Sequence, residues 1–123
     1  MKTYIAQRPA DDAIGNCVVV VKDGPRTYAL RHVVYHSPTG FEWGYGGSGP
    51  ADTALSILAN YFDESPERRE ISNTHAWYHH QAFKWHFIAP APRKGFTLTE
   101  QQISEWLQAQ QQPLFGAGTT MGG

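Results

Sequence analysis

The stretch Gly40-Phe41-Glu42-Trp43-Gly44-Tyr45-Gly46-Gly47-Ser48-Gly49-Pro50-Ala51-Asp52 holds the residues best suited to grip a ligand. Gly46, Gly47 and Gly49, with Ser48 between them, leave successive main-chain amides bare, and such amides can form a nest for an anion. A helix opening at Pro50 would add partial positive charge at the same point. Trp43 and Tyr45 offer flat faces on which a nucleobase can stack. The plainer reading is a tight strand-to-helix turn with glycines at positive φ. The spacing matches neither a P-loop nor a dinucleotide fingerprint, and no lysine follows Gly49. Cations must then come from other segments. Lys84, Arg93 and Lys94 are the candidates, with Arg31 behind them, and Phe83 supplies a further ring.

Other chemistries find less support. His75 and His79 would share one face of a helix, with His80 and His86 nearby, but no glutamate or cysteine completes a ligand set. The histidines, including His32 and His36, read as surface residues, and no metal and no cofactor is expected. Cys17 lies in a valine run and reads as a small core hydrophobe. Gly47-Ser48-Gly49-Pro50 lacks the spacing of a nucleophile elbow. Glu42 and Asp52 could pair as acid and base, yet nothing in the sequence brings them to one pocket. The expectation is a binding protein, not an enzyme.

Composition bounds the remaining classes. The 123 residues are one domain's worth, and 41% hydrophobic content is enough for a core. Ten Lys+Arg against eleven Asp+Glu give a net charge of −1, which excludes a polynucleotide clamp working by bulk charge. One cysteine excludes an internal disulfide framework. No apolar run is long enough for a membrane span. The start Met1-Lys2-Thr3-Tyr4 has no apolar h-region, so no secretory signal and a cytoplasmic location are expected.

The elements that must position these residues follow from pattern. Thr3 to Gln7 alternates weakly, and Cys17 to Val21 reads as a strand covered on both faces. Asp23-Gly24 signals a hairpin into a strand from Thr27 to Tyr35, with Tyr28, Leu30 and Val34 inward and a bulge near Arg31-His32 bringing Val33 in too. His36-Ser37-Pro38-Thr39-Gly40 is a turn, and Phe41 to Tyr45 a strand. A helix from about Pro50 to Tyr61, capped by Ser48 or Gly49, buries Ala51, Ala54, Leu55, Leu58 and Phe62, with Asp52 in its first turn. Residues 63 to 74 read as an exposed connection, and 75 to 81 as either strand or helix. Ala82 to Ala89 reads as a strand. Thr99-Glu100-Gln101-Gln102 is a capping box, with Leu98 and Ile103 as a hydrophobic staple, opening a last helix. The predicted fold is α+β: a curved antiparallel sheet of about five strands with two helices on one face, in the order strands, helix, strand, helix. Residues 1–109 form the single domain and 110–123 a flexible tail. The sheet's second face is expected to carry rings and to be covered by another copy of the chain, giving a homo-oligomer.

The segment from His36 to Asp52, with Phe83-Lys84 and Ile88-Ala89, resembles a family of small uncharacterised domains of bacteriophages and mobile elements, over about Tyr4 to Leu107. The architecture also resembles the first Thoeris anti-defence protein of phages. That resemblance implies a sponge that sequesters cyclic ADP-ribose-type signals, or cyclic oligonucleotides, between protomers without cutting them. The expected function is therefore an anti-defence protein binding a nucleotide-like second messenger. A direct protein-binding inhibitor of a host defence complex is the alternative, and a small hydrolase or transferase the third.

Overall fold

A computed structural model describes residues 1–9 and 17–111. Four antiparallel strands form an open sheet in the order β3-β2-β1-β4: β1 Lys2–Gln7, β2 Val18–Asp23, β3 Arg26–Ala29 and β4 Gly95–Thr99. Asp23 pairs Arg26, so Gly24 and Pro25 alone make the hairpin, with Gly24 at φ 61° as the Asp-Gly signal predicts. The inner face carries Tyr4, Ala6, Val19, Val21 and Leu98, all buried.

The helices are α1 Ser48–Tyr61, α2 His75–Phe83 and α3 Glu100–Gln111. A 3₁₀ helix, Arg68–Asn73, precedes α2, and a π-helical turn, Lys84–Ile88, continues it. Every residue of α1 from Gly49 to Ala59 is buried, the mark of a helix enclosed on all sides. Tyrosines from the sheet reach it: Tyr4 Oη donates to Asn60 Oδ1 at 2.8 Å, and Asn60 Nδ2 donates to Tyr28 Oη at 3.1 Å. α2 packs along α1. Thr74 and Glu64 fix the start of α2, Thr74 Oγ1 accepting from Trp77 N and the Glu64 carboxylate from the amides of His75 and Ala76.

Several sequence expectations change. Among the described residues the sheet has four strands, not five, and three α-helices accompany it, not two. β2 is covered on one face only: Val19 and Val21 are buried while Val18 is exposed. The outer face is β-branched and not ring-rich, since Thr3, Ile5, Val18, Val20, Thr27 and Thr97 share it by register. β3 ends at Ala29. Beyond it the chain leaves the sheet because α1 offers better partners: Val33 N donates to Ser56 Oγ at 2.8 Å, burying Val33 and leaving Val34 exposed. Phe41 to Tyr45 is not a strand, because Gly44 turns the chain at φ 90° and donates to Ile88 O. Residues 63 to 74 hold the 3₁₀ helix and a buried Ile71. Ala82 to Ala89 is helical, an extension of α2. α1 starts earlier than expected, with Gly47 as its cap and no side-chain capping bond. The capping box of α3 forms as predicted: Gln102 N donates to Thr99 Oγ1, and Thr99 N to Gln102 Oε1. That helix runs through the expected tail boundary to Gln111. Residues 112–123 lie outside the described residues.

Candidate functional site

The glycine-rich bend before α1 is built by side chains lying flat on bare backbone. A Cβ on Gly46 would stand 2.2 Å from Cη2 of Trp85, one on Gly47 2.8 Å from Cε2 of Tyr45, and one on Gly49 2.8 Å from Cβ of Glu42. Those contacts, and not positive φ, favour glycine at the three positions, most firmly at Gly49, where the neighbour is the Cβ of Glu42 and not the rim of an exposed ring. Only Gly44 in this bend occupies the left-handed region. Two exposed rings thus flank the bend: Tyr45, 51% exposed, and Trp85, 61% exposed.

The amides of Gly46, Gly47, Ser48 and Gly49 meet no acceptor among the described residues, and the first hydrogen bond of α1 is Ala51 N to Gly47 O. Open amides at a helix N-terminus favour an anion. A second observation points the same way. Lys84 as a whole is only 7% exposed, and its ammonium, which emerges to solvent with no acceptor among the described residues, lies 4.3 Å from the centroid of the Trp85 ring. The far edge of that same ring rests on Gly46. A lysine stem packed away with its ammonium at the surface holds that charge in a fixed place, open to an anion.

Beneath Gly49 lies an ion pair. Arg8 Nη2 bonds Glu42 Oε1 at 2.7 Å, and Arg8 Nη1 reaches Oε2 at 3.4 Å. Arg8 holds the Glu42 carboxyl below its ordinary value, while burial and the nearby Glu42 charge push the Tyr45 hydroxyl up. The pairing keeps Glu42 from presenting an uncompensated negative charge to the bend.

The predicted site residues divide into two groups. Tyr45, Gly46, Gly47, Ser48, Gly49 and Lys84 are brought together. Arg93 adjoins Gly44, a Cβ on which would lie 3.9 Å from Arg93 Cα. Its carbonyl accepts from Trp43 Nε1 and Arg8 Nε. Lys94 follows, exposed, its carbonyl accepting from Arg8 N. Trp43 and Phe83 offer no stacking face. Trp43 is 1% exposed, with Arg8 over its ring at 5.1 Å and Phe96 edge-on. Phe83 is fully buried against Phe87 and Trp106. Both rings point inward because the bend and α2 turn these positions to the core. Trp85 takes their place. A helical reading of 75 to 88 would have found it, since positions 78, 82 and 85 then share a face.

Two further polar clusters lie behind the bend. Asp52, fully buried, accepts from the amides of Tyr35, His36 and Ser37 and bonds His32 Nε2 at 2.9 Å. Burial raises its carboxyl, but His32 and the three amides outweigh this and hold it below its ordinary value. Asp52 therefore does not act as a first-turn dipole partner. His36 Nε2 meets His80 Nε2 at 3.0 Å. The 75-to-81 segment is helical, but His75 bonds Glu64 and His79 stacks on Phe62, so the two do not converge. No three of the described His, Cys, Asp and Glu residues gather into a set able to hold a metal ion. A cavity of about 170 Å³ opens elsewhere, between Leu30, Arg31, Ser56, Asn60 and Glu64.

Comparison with known proteins places the chain. Its residues 4–109 match the model of a family of unknown function, DUF6166, and the chain belongs to that family. No enzyme family is indicated. No curated protein and no solved structure matched the chain. No helix among the described residues is long and apolar enough to cross a membrane.

Proposed function

We propose that the chain is a non-catalytic binding protein that holds a phosphorylated, base-bearing ligand on the amides of Gly46 to Gly49 and the ammonium of Lys84. Tyr45 and Trp85 flank the base, and Arg93 and Lys94 add positive charge at the rim. The single observation that carries this reading is the coincidence of four acceptor-less amides with a lysine whose stem is buried and whose ammonium emerges with no acceptor among the described residues. The resemblance to phage anti-defence domains extends the proposal. The ligand is a nucleotide-derived immune second messenger, sequestered intact in the host cytoplasm. Val18 and its β-branched neighbours on the outer sheet face support pairing with a second copy.

Thermal unfolding with cyclic ADP-ribose isomers and cyclic oligonucleotides tests this. A bound ligand at 100 times its Kd stabilises the fold by about 2.7 kcal/mol, a shift of several degrees. Lys84→Met removes the shift while the ligand is recovered chemically unchanged from the wild-type complex. No shift with any of these compounds overturns the reading. The second reading, a direct inhibitor of a host defence complex, draws on Tyr78 (82% exposed) and Trp85, seven residues apart on one helical face. Co-purification of a stable host protein with no released nucleotide would favour it.

A further inference from the structure

His80 and His36 join two parts of the fold that share no other side-chain hydrogen bond among the described residues. His80 Nδ1 lies 2.6 Å from the carbonyl oxygen of Trp77, which can only accept, so Nδ1 carries a hydrogen. A neutral imidazole has one N–H. The Nε2 of neutral His80 is therefore a lone pair, and the hydrogen in the 3.0 Å contact belongs to His36 Nε2. The two ring centroids are 5.2 Å apart and the planes 25° from parallel. The nitrogens thus meet head-on, as an N–H···N bond requires, and do not converge on a common point as two metal ligands would.

This arrangement counts protons. One added proton can go to His36 Nδ1, which has no hydrogen-bond partner among the described residues, and the N–H···N contact survives with added charge. A second proton must go to His80 Nε2, where two N–H groups would then face each other. We infer that His36 and His80 form a proton-operated latch between the 31–41 segment and α2, closed with up to one proton added to the neutral pair and open with two. The surroundings oppose the second charge. Lys84 opens the π-helical turn four residues on, and burial depresses His80 protonation, with His36 and Lys84 adding to the effect. Asp52, from α1, favours the charge but is already saturated by its own four donors. Arg68, from the 3₁₀ helix, covers the Tyr35 ring beside His36 at 4.7 Å. The Trp77 ring packs against both histidines, 5.8 Å from His36 and 4.6 Å from His80, so its emission reports the latch.

The test is an imidazole ¹⁵N titration of the whole chain from about pH 8 to about pH 5, read beside Trp emission and amide exchange. At the alkaline end the spectra show hydrogen on His80 Nδ1 and on His36 Nε2. As His80 gains its second proton, Trp77 emission changes and exchange at Tyr35 to Ser37 and Trp77 to His80, corrected for intrinsic rate, rises about tenfold. His36→Phe keeps a flat ring but removes the shared hydrogen, and this coupled step disappears. His75→Gln, which removes the other polar histidine contact of α2, leaves the step in place. The opposite tautomers, or protonation of His80 with emission and exchange unmoved, overturn the inference on the wild-type chain, whether or not the variants fold.

Discussion

Asp52 takes from main-chain amides what a buried carboxylate more often takes from a lysine or arginine. Three consecutive N–H groups, from Tyr35, His36 and Ser37, converge on its two oxygens, and His32 closes the shell. The bond count makes this side chain the fastener that holds the irregular 31–41 segment against α1. Removing it leaves three buried donors without an acceptor. Asp52→Ala should therefore cost about 3–5 kcal/mol, much of a small domain's whole stability. Asp52→Asn keeps one acceptor oxygen but turns an NH₂ toward a donor, and should cost about 2–3 kcal/mol. Urea midpoints of the two variants check the order. Equal and small losses would mean that water replaces the carboxylate and that the segment is held by other contacts. The sequence points to Asp52 only as a helix-dipole partner. Its true partners lie 15 to 17 positions away and are main-chain groups, which no side-chain pattern reveals.

At the scale of elements, local chemistry was readable and long-range pairing was not. The Thr99 box and the Gly24 hairpin are written within a few residues, and each forms, while Leu98 and Ile103 are both buried. β4 escaped because Gly95 to Thr99 reads as the tail of a proline-rich turn. Its strand character comes from pairing with β1, 88 to 96 residues earlier, where a Cβ on Gly95 would press 2.2 Å from the carbonyl of Ala6. Phe83-Lys84-Trp85 mimics strand alternation, yet the Thr74 and Glu64 caps start a helix that runs through it. The end of α1 supplies a test of this local logic. Glu64 N bonds Ala59 O and Asp63 N bonds Asn60 O, a Schellman motif with Asp63 at φ 56° where glycine is the usual residue. Asp63 is also exposed and paired to Lys2, a contact that contributes little. Asp63→Gly should therefore hold or raise stability, and Asp63→Ala should fall about 1 kcal/mol below Asp63→Gly. Thermal midpoints decide it; an alanine variant as stable as the glycine one would mean that the left-handed backbone carries no strain.

For the molecule as a whole, the histidines and carboxylates that the fold perturbs make it acid-sensitive, in two stages. His79 and His80 both have values lowered by burial from 6.5, His79 helped by His75 and His80 by His36 and Lys84. The unfolded chain then binds protons near pH 6.5 that the folded chain refuses, so stability is complete above that value and falls as pH drops below it. Glu42, Asp52 and Glu64 are also lowered. Arg8 dominates for Glu42, whereas at Asp52 and Glu64 burial is overcome by hydrogen bonds. Their contributions are present above the ordinary values of 3.8 and 4.5 and are lost as pH falls through the folded ones. Urea midpoints should thus decline gently from about pH 6.5 and steeply below about pH 4.5. His80→Gln should flatten the upper stage and leave the lower one, because the three carboxylates keep their partners. A wild-type midpoint that is level or rising between about pH 7 and about pH 5 would contradict the assignment of neutral, buried imidazoles to α2.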